Sequence, residues 1–188
     1  MGGTVKDSEL DDSELISKII AKNDTHLFAI LYDRYAEKVY GKCLSFSKSA
    51  EEAQDLTHDI FIKLFLKLRT FKGESKFSTW LYSFTYNFCL NYIQRDKKKK
   101  QEKFTSLDHE NYTAEEEIPD EDIFQMKTEK LILSLNQIDP DDKMILLMKY
   151  QDDFSIADIQ KGLDLGESAV KMRLKRAKQR LINIYNSL

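Results

Sequence analysis

Helix breakers are scarce in this chain of 188 residues, which has two prolines and six glycines. Together with abundant Leu, Ile, Lys and Glu, that scarcity favours an all-helical protein. Cysteine is almost missing. Cys43 and Cys89 show neither metal-ligand spacing nor a disulfide framework, so a reducing, cytoplasmic setting fits best, with both thiols buried in apolar helical segments. The histidines, His26, His58 and His109, are scattered, so no metal site is expected. There is no Gly-rich phosphate loop and no nucleophile elbow. Paired carboxylates occur only in capping positions or in one acidic stretch. No catalytic residue and no cofactor are therefore expected. No run of about 18 apolar residues exists, and no apolar h-region follows the start, so no direct membrane insertion is expected.

What the chain does have is charge, at 32% of residues, beside 41% hydrophobic residues, enough to build a core. The formal net charge is only -3, but its distribution is uneven. Lys171, Arg173, Lys175, Arg176, Lys178 and Arg180 run without an intervening acid, and a second basic run is Arg95 with lysines at 97–100. Between them lie Glu115, Glu116, Glu117, Asp120, Glu121 and Asp122. A basic–acidic–basic layout can keep the total low while presenting two phosphate-attracting surfaces, although any one run taken alone reads more simply as a solvated face.

Hydrophobic periodicity predicts helices over 14–21, then one capped at Asn23 and Asp24 and carrying Leu27, Leu31, Tyr35 and Val39. Ser49 with Glu52 reads as a capping box before a helix bearing Leu56, Ile60 and Leu64. After a loop at 71–75, a fourth helix runs from about Lys76 to Lys98 with Phe77, Trp80, Leu81, Phe84 and Phe88 towards the core. Periodicity is then lost, and the acidic stretch 99–121 reads as a flexible linker between domains over 1–98 and 122–188. The second domain reads as helices over 122–135, 140–150 (Asp139 as cap, Pro140 at the first position), 155–163 (Ser155 and Asp158 as a capping box) and 167–186.

Residues 155–180 have the shape of a helix-turn-helix: a short helix, the turn Asp164-Leu165-Gly166, and a basic helix. Val170, Leu174, Ala177 and Leu181 form its apolar face. An ordinary amphipathic terminal helix would show the same pattern. The wording of SIADIQKGLDLGESAVKMRLKRAKQR is more specific, and it resembles the helix-turn-helix of sigma-factor domain four. Gln160 departs from the small residue usual there, and Asp164 from a frequent glycine, though Asp tolerates a left-handed turn. Residues 27–98 resemble sigma-factor domain two, through AEEAQDLTHDIFIKLF at 50–65 and FKGESKFSTWLYSFTYNFCLNYIQR at 71–95. The chain is thus identified as resembling bacterial sigma factors of the small extracytoplasmic-function (ECF) type.

That resemblance implies an all-α protein of two small helical domains joined by a flexible linker, acting in promoter-specific transcription initiation while polymerase does the nucleotide chemistry. It implies docking on core RNA polymerase through Gln54, Asp55, His58, Asp59 and Ile62. It implies contact with minus-ten promoter DNA through Lys72, Gly73, Glu74, Ser75, Tyr86, Asn87, Asn91 and Arg95, the loop receiving a flipped base. Asn87, Asn91 and Arg95 recur every four residues as a polar stripe, whereas Ser83 and Thr85 stand near positions where the family often has basic residues. Minus-thirty-five contact is implied for Glu167, Ser168, Lys171, Met172, Arg173, Lys175, Arg176 and Lys178. An anti-sigma factor, frequently membrane-bound in the family, is the further partner implied. A stand-alone helix-turn-helix regulator would explain 155–180 but not the first domain, and a helical adaptor would explain neither basic segment.

Overall fold

The computed structural model describes residues 9–96 and 118–188 in full and the backbone alone of 97–101. Every regular element among the described residues is helical, as the composition led one to expect. The chain divides into two compact units, 1–93 and 94–188.

In the first unit, α1 (Asp12–Lys22) is capped by the Asp11 carboxylate, which accepts from the Glu14 N–H at 2.8 Å. Asn23 closes α1 in the left-handed region at φ 52, a conformation that Asn adopts more readily than most residues. The next residue, Asp24, opens α2 (Thr25–Leu44) by accepting from the N–H groups of His26 and Leu27. Ser49 caps α3 (Ala50–Lys67), taking the Glu52 N–H at 3.1 Å. The Glu52 carboxylate reaches back past the cap to the Lys48 N–H and also accepts from the Tyr92 hydroxyl at 2.6 Å. A short tight helical turn, Leu68–Thr70, leads into the loop before α4 (Phe77–Gln101). Three edge-on or tilted ring contacts, Phe28–Phe61, Phe28–Phe65 and Tyr32–Phe61, join α2 to α3. Tyr35 meets Phe77 and Tyr82 of α4. Leu15, Leu31, Ile60, Leu64 and Leu81 are fully buried between these helices, each worth about 1.5–3 kcal/mol relative to exposure.

The second unit holds α5 (Asp120–Phe124), α6 (Thr128–Gln137), α7 (Pro140–Leu146), α8 (Ile156–Leu163) and α9 (Glu167–Ser187). The single helix expected over 122–135 is two, separated at 125–127. Asp139 and Pro140 start α7 as read, with the Asp139 side chain accepting from the Asp141 N–H. Past Leu146 the chain widens into a π-type turn, Leu147–Gln151, where the Asp152 N–H reaches five residues back to the Leu147 carbonyl. The capping box at Ser155 and Asp158 is complete in both directions, and Asp164 ends α8 at φ 53. Met144, Ile145, Met148, Ile159, Val170, Ala177 and Leu181 fill the core.

Helix enters the stretch 99–121, expected as a linker, at both ends. Charged, unbranched side chains favour helix, and α4 continues to Gln101. Asp120, Glu121 and Asp122 form the first turn of α5, where acids complement the helix dipole. Glu115, Glu116, Glu117 and His109 lie outside the described residues.

Candidate protein and nucleic-acid interfaces

α3 buries Ala53, Leu56, Ile60, Phe61 and Leu64 at helical spacing, which leaves Gln54, Asp55, His58, Asp59 and Ile62 outward. All five are exposed, Ile62 to 62%. Asp55 and Asp59, one turn apart, edge a depression of about 350 Å³ shared with Glu51, Glu52 and Tyr92. Beside it, α2 and α3 frame an apolar groove of about 400 Å³ walled by Phe28, Tyr32, Phe61, Ile62, Phe65 and Leu66. An acidic strip next to an exposed apolar groove is a surface suited to a basic, partly apolar protein partner.

The loop before α4 turns at Gly73, whose φ of +72 is a conformation that side chains rarely adopt. Lys72 and Glu74 are exposed, while Ser75 is partly buried. Beneath the loop lies a cavity of about 340 Å³ lined by Phe71, Gly73, Ser75, Lys76, Phe77 and Ser78 and, from the start of α1, by Asp11, Asp12 and Ser13. Trp80 is only partly buried. It stacks on Phe84 with ring centroids 5.9 Å apart and planes at 12°, and it touches Phe71 and Phe77. An aromatic cluster thus lies beside the cavity.

Tyr86, expected at the DNA surface, is a core residue at 0% exposure. Its ring meets Phe46 edge-on, and its hydroxyl accepts from Lys42 Nζ at 3.5 Å. The buried face of α4 runs through Phe77, Leu81, Thr85, Tyr86, Cys89 and Leu90, while Phe84 and Phe88 lie on its margin, within cation–π reach of Lys67 and Lys63. Ser83 and Thr85 are buried too, and each donates its hydroxyl to a carbonyl one turn back. Asn91 and Arg95 are exposed and Asn87 partly so.

In the helix-turn-helix, α9 buries Val170, Leu174, Ala177 and Leu181. On the opposite side Ser168, Met172 and Arg176 are exposed, and Lys175 is partly so. Met172 is exposed to 52%. Glu167 and Lys171 pair across one turn at 2.6 Å, and that bond holds the Glu167 carboxyl below its ordinary value. Arg173 lies partly buried on one flank. Gln160, partly buried on α8, is accommodated without disturbing the Asp164 turn.

Lys178 is not available as a phosphate contact in this arrangement. Its ammonium donates to the Ile118 carbonyl at 2.6 Å and to Asp120 at 2.8 Å, leaving the side chain 12% exposed. The Tyr150 hydroxyl also donates to Asp120, at 2.6 Å. Burial pushes the Asp120 carboxyl up, but the bonds from Lys178 and Tyr150 and the nearby charge of Lys149 outweigh it, and the net shift is down. Arg180 is likewise engaged, by Asp142 of α7. Nothing in the local sequence signals the Lys178–Asp120 pair, because its members are 58 residues apart.

A two-unit helical protein with a helix-turn-helix in the second unit and a loop-roofed cavity in the first has the form of a DNA-directed factor. Residues 31–99 match the model of Sigma-70 region 2, and residues 128–181 that of Sigma-70, region 4. The ECF RNA polymerase sigma factor SigW of Bacillus subtilis is 26% identical over 174 residues, covering 87% of this chain and 91% of its own. The ECF RNA polymerase sigma-E factor of Haemophilus influenzae is 26% identical over 182 residues, covering 93% and 95%. Among solved structures, the sigma factor RpoE bound to the anti-sigma factor NepR from Bartonella quintana aligns with a TM-score of 0.61 at 17% identity, covering 85% of this chain and 96% of that one. CnrH in complex with the cytosolic domain of CnrY aligns at 0.63 and 16% identity, covering 94% and 97%. The chain belongs to the sigma-70 family of bacterial sigma factors, in its ECF subfamily. Such a factor binds RNA polymerase and directs transcription initiation at promoters without chemistry of its own. No helix among the described residues is long and apolar enough to cross a membrane.

Proposed function

We propose that this sigma factor docks on core polymerase through the outward face of α3, reads the minus-ten element and captures an unpaired base with α4 and the loop before it, and reads the minus-thirty-five element with α9. The observation that carries the reading is the cavity under Gly73 and Ser75, which shares Phe71 and Phe77 with the aromatic cluster of Trp80. A melted strand needs a recess for one base, stacking surface beside it and polar groups for the backbone; the recess and the rings adjoin, and Asn87, Asn91 and Arg95 lie further along α4. Asp55 and Asp59 give α3 a negative docking face, and Ile62 continues it into the apolar groove. In α9, exposed Ser168 and Met172 face away from the core for a major groove, with exposed Arg176 and the partly exposed Lys175 beside them for phosphates.

A cytoplasmic setting follows from this role, as does sequestration by an anti-sigma factor, the kind of partner named for the solved sigma factor RpoE. The division into a promoter-melting domain, a linker and an upstream-reading domain is part of the same proposal.

Run-off transcription with purified core polymerase tests it. New start sites that depend on this chain, and that vanish when either promoter element is scrambled, are the expected result. Permanganate footprinting then tests the loop: the triple variant Lys72→Ala, Glu74→Ala, Ser75→Ala should lose reactivity of minus-ten thymines while retaining duplex binding. Wild-type reactivity in that variant would remove the loop from strand capture.

A further inference from the structure

Two thiols of the first unit take no part in the proposed contacts with polymerase or DNA, and they face each other. Cys43 lies in the last turn of α2 and Cys89 midway along α4, yet their sulfurs are 3.9 Å apart and both residues are fully buried. The Cys89 S–H donates to the Cys43 sulfur. That bond, with a smaller contribution from Thr57 of α3, outweighs burial and holds the Cys43 thiol below its ordinary value. The same bond, together with burial, pushes the Cys89 thiol far up. The two cysteines are therefore unlike: one sulfur is set to give up its proton, and the other keeps its own. Disulfide sulfurs stand about 2.05 Å apart, so from 3.9 Å the pair has about 2 Å to close, by side-chain rotation and a small approach of the two helices.

Size decides what reaches these sulfurs. α2 ends one residue after Cys43, at Leu44, which is exposed. The Cys43 carbonyl accepts from the N–H groups of Phe46 and Ser47, and these bonds close the helix end. A terminal turn of this kind opens locally without unfolding the domain. Hydrogen peroxide, little larger than water, needs only such an opening, whereas a bulky reagent needs more. The Cys43 thiolate attacks one peroxide oxygen and the O–O bond breaks. The other oxygen leaves as hydroxide and takes up the proton that Cys43 gave, forming water and leaving a sulfenic acid on Cys43. The Cys89 sulfur then attacks the Cys43 sulfur, the S–O bond breaks, and the hydroxyl leaves with the Cys89 proton as a second water. Two thiols are oxidised to one disulfide, and one peroxide is reduced to two waters.

We infer that Cys43 and Cys89 form a peroxide-sensitive switch, an internal disulfide that ties α2 to α4 and lowers promoter opening until it is reduced. The cross-link stands on the two cysteines alone, and its effect on opening rests on the proposed minus-ten role of α4. Cys89 falls between Asn87 and Asn91 on that helix. Thr85, Tyr86 and Leu90 are buried around it, and Tyr86 meets Phe46, just beyond α2, edge-on. A close-packed core passes a displacement on to its neighbours. Drawing Cys89 towards α2 therefore shifts the polar face of α4 from its place on DNA. A misfit of about 1.4 kcal/mol lowers opening about tenfold.

The test treats the full chain with hydrogen peroxide, removes the excess, and divides the sample between intact-mass analysis and assembly with core polymerase. The native protein should lose two hydrogens, remain a monomer on a non-reducing gel, and yield one disulfide-linked peptide pair containing Cys43 and Cys89. Permanganate reactivity of minus-ten thymines should fall about tenfold with the oxidised chain and return after dithiothreitol. Cys43→Ala and Cys89→Ala should each open promoters as the reduced wild type does, before and after peroxide. A native protein that forms no cross-link, or forms it only in denaturant, is an inert core pair, and the inference is overturned. A cross-linked protein that opens promoters normally, or alanine variants that lose opening on peroxide as the wild type does, overturns the switch. Failure of the reduced wild-type holoenzyme to open any promoter is a separate result, which counts against the minus-ten reading and leaves the mass analysis to decide the cross-link.

Discussion

Replacing Asp120 by alanine and, separately, Lys178 by methionine should give unequal results, and the inequality comes from how the two side chains are exposed. Lys178 is 12% exposed and Asp120 45%. In Asp120→Ala the ammonium keeps one neutral acceptor, the Ile118 carbonyl, where water reaches little of it, and the Tyr150 hydroxyl loses its carboxylate. Hydrogen bonds to charged groups are worth roughly 1.5–3 kcal/mol, so a loss of about 2–3 kcal/mol from the second unit is expected. In Lys178→Met the aliphatic stem is kept, and Asp120 remains hydrated with Tyr150 still donating, so the change should stay within about 1 kcal/mol. Urea unfolding of the two variants measures both. The Asp120 contribution also has a pH window. Its carboxyl sits below the ordinary 3.8 in the folded chain, so the stabilisation is complete above that value and disappears as pH falls through the lowered one. The wild-type and Asp120→Ala curves should therefore converge in strong acid. On DNA, Lys178→Met should leave the salt dependence of minus-thirty-five binding unchanged, whereas Lys175→Met should reduce the slope by about one unit. Equal destabilisation by the two substitutions, or a unit drop in slope for Lys178→Met, would refute the assignment of Lys178 to the fold.

Reversing both Asp55 and Asp59 to Lys should reduce affinity for core polymerase by several kcal/mol while leaving the circular dichroism spectrum unchanged, since both lie off the buried face of α3; unaltered affinity in a direct binding assay would clear them of docking. Tyr86→Ala should destabilise the first unit by about 3–5 kcal/mol, as large aromatic truncations in cores do, whereas Asn91→Ala should leave its thermal midpoint in place and weaken minus-ten binding. Cys43 and Cys89 lie 3.9 Å apart, sulfur to sulfur, with neither exposed, so a bulky thiol reagent should label neither until denaturant is added; rapid labelling of native protein would contradict that burial.

The elements most legible in the sequence are those fixed by local chemistry. Asp24, Ser49, Asp139 and Ser155 each cap a helix a few residues away, and the turn at Asp164 needs only its own backbone. The outward face of α3 was equally readable, because Leu56, Ile60 and Leu64 repeat cleanly against polar neighbours. α4 was harder. Aromatic rings at 80, 82, 84, 86 and 88 fall on every side of the helix, so periodicity alone does not separate buried Tyr86 from the partly exposed Trp80 and Phe84. Lys178 looked like its basic neighbours because the carboxylate that claims it arrives from the far side of the second unit's sequence. The α1 side of the cavity under the loop was invisible for the same reason: Asp11 and Asp12 read as helix-capping and first-turn acids, and only the fold brings them beneath Gly73.

The stacked pair of Trp80 and Phe84 has a spectroscopic consequence. Trp80 is the single tryptophan of the chain, and it touches Phe71 and Phe77, which line the loop cavity. All indole emission from this protein therefore originates within one ring contact of the place proposed to receive an unpaired base. If an unpaired base enters the recess as proposed, the polarity and the quenching around that indole should change, so single-stranded minus-ten DNA added to the free protein should alter its emission, a change that stopped-flow mixing can follow without an attached label.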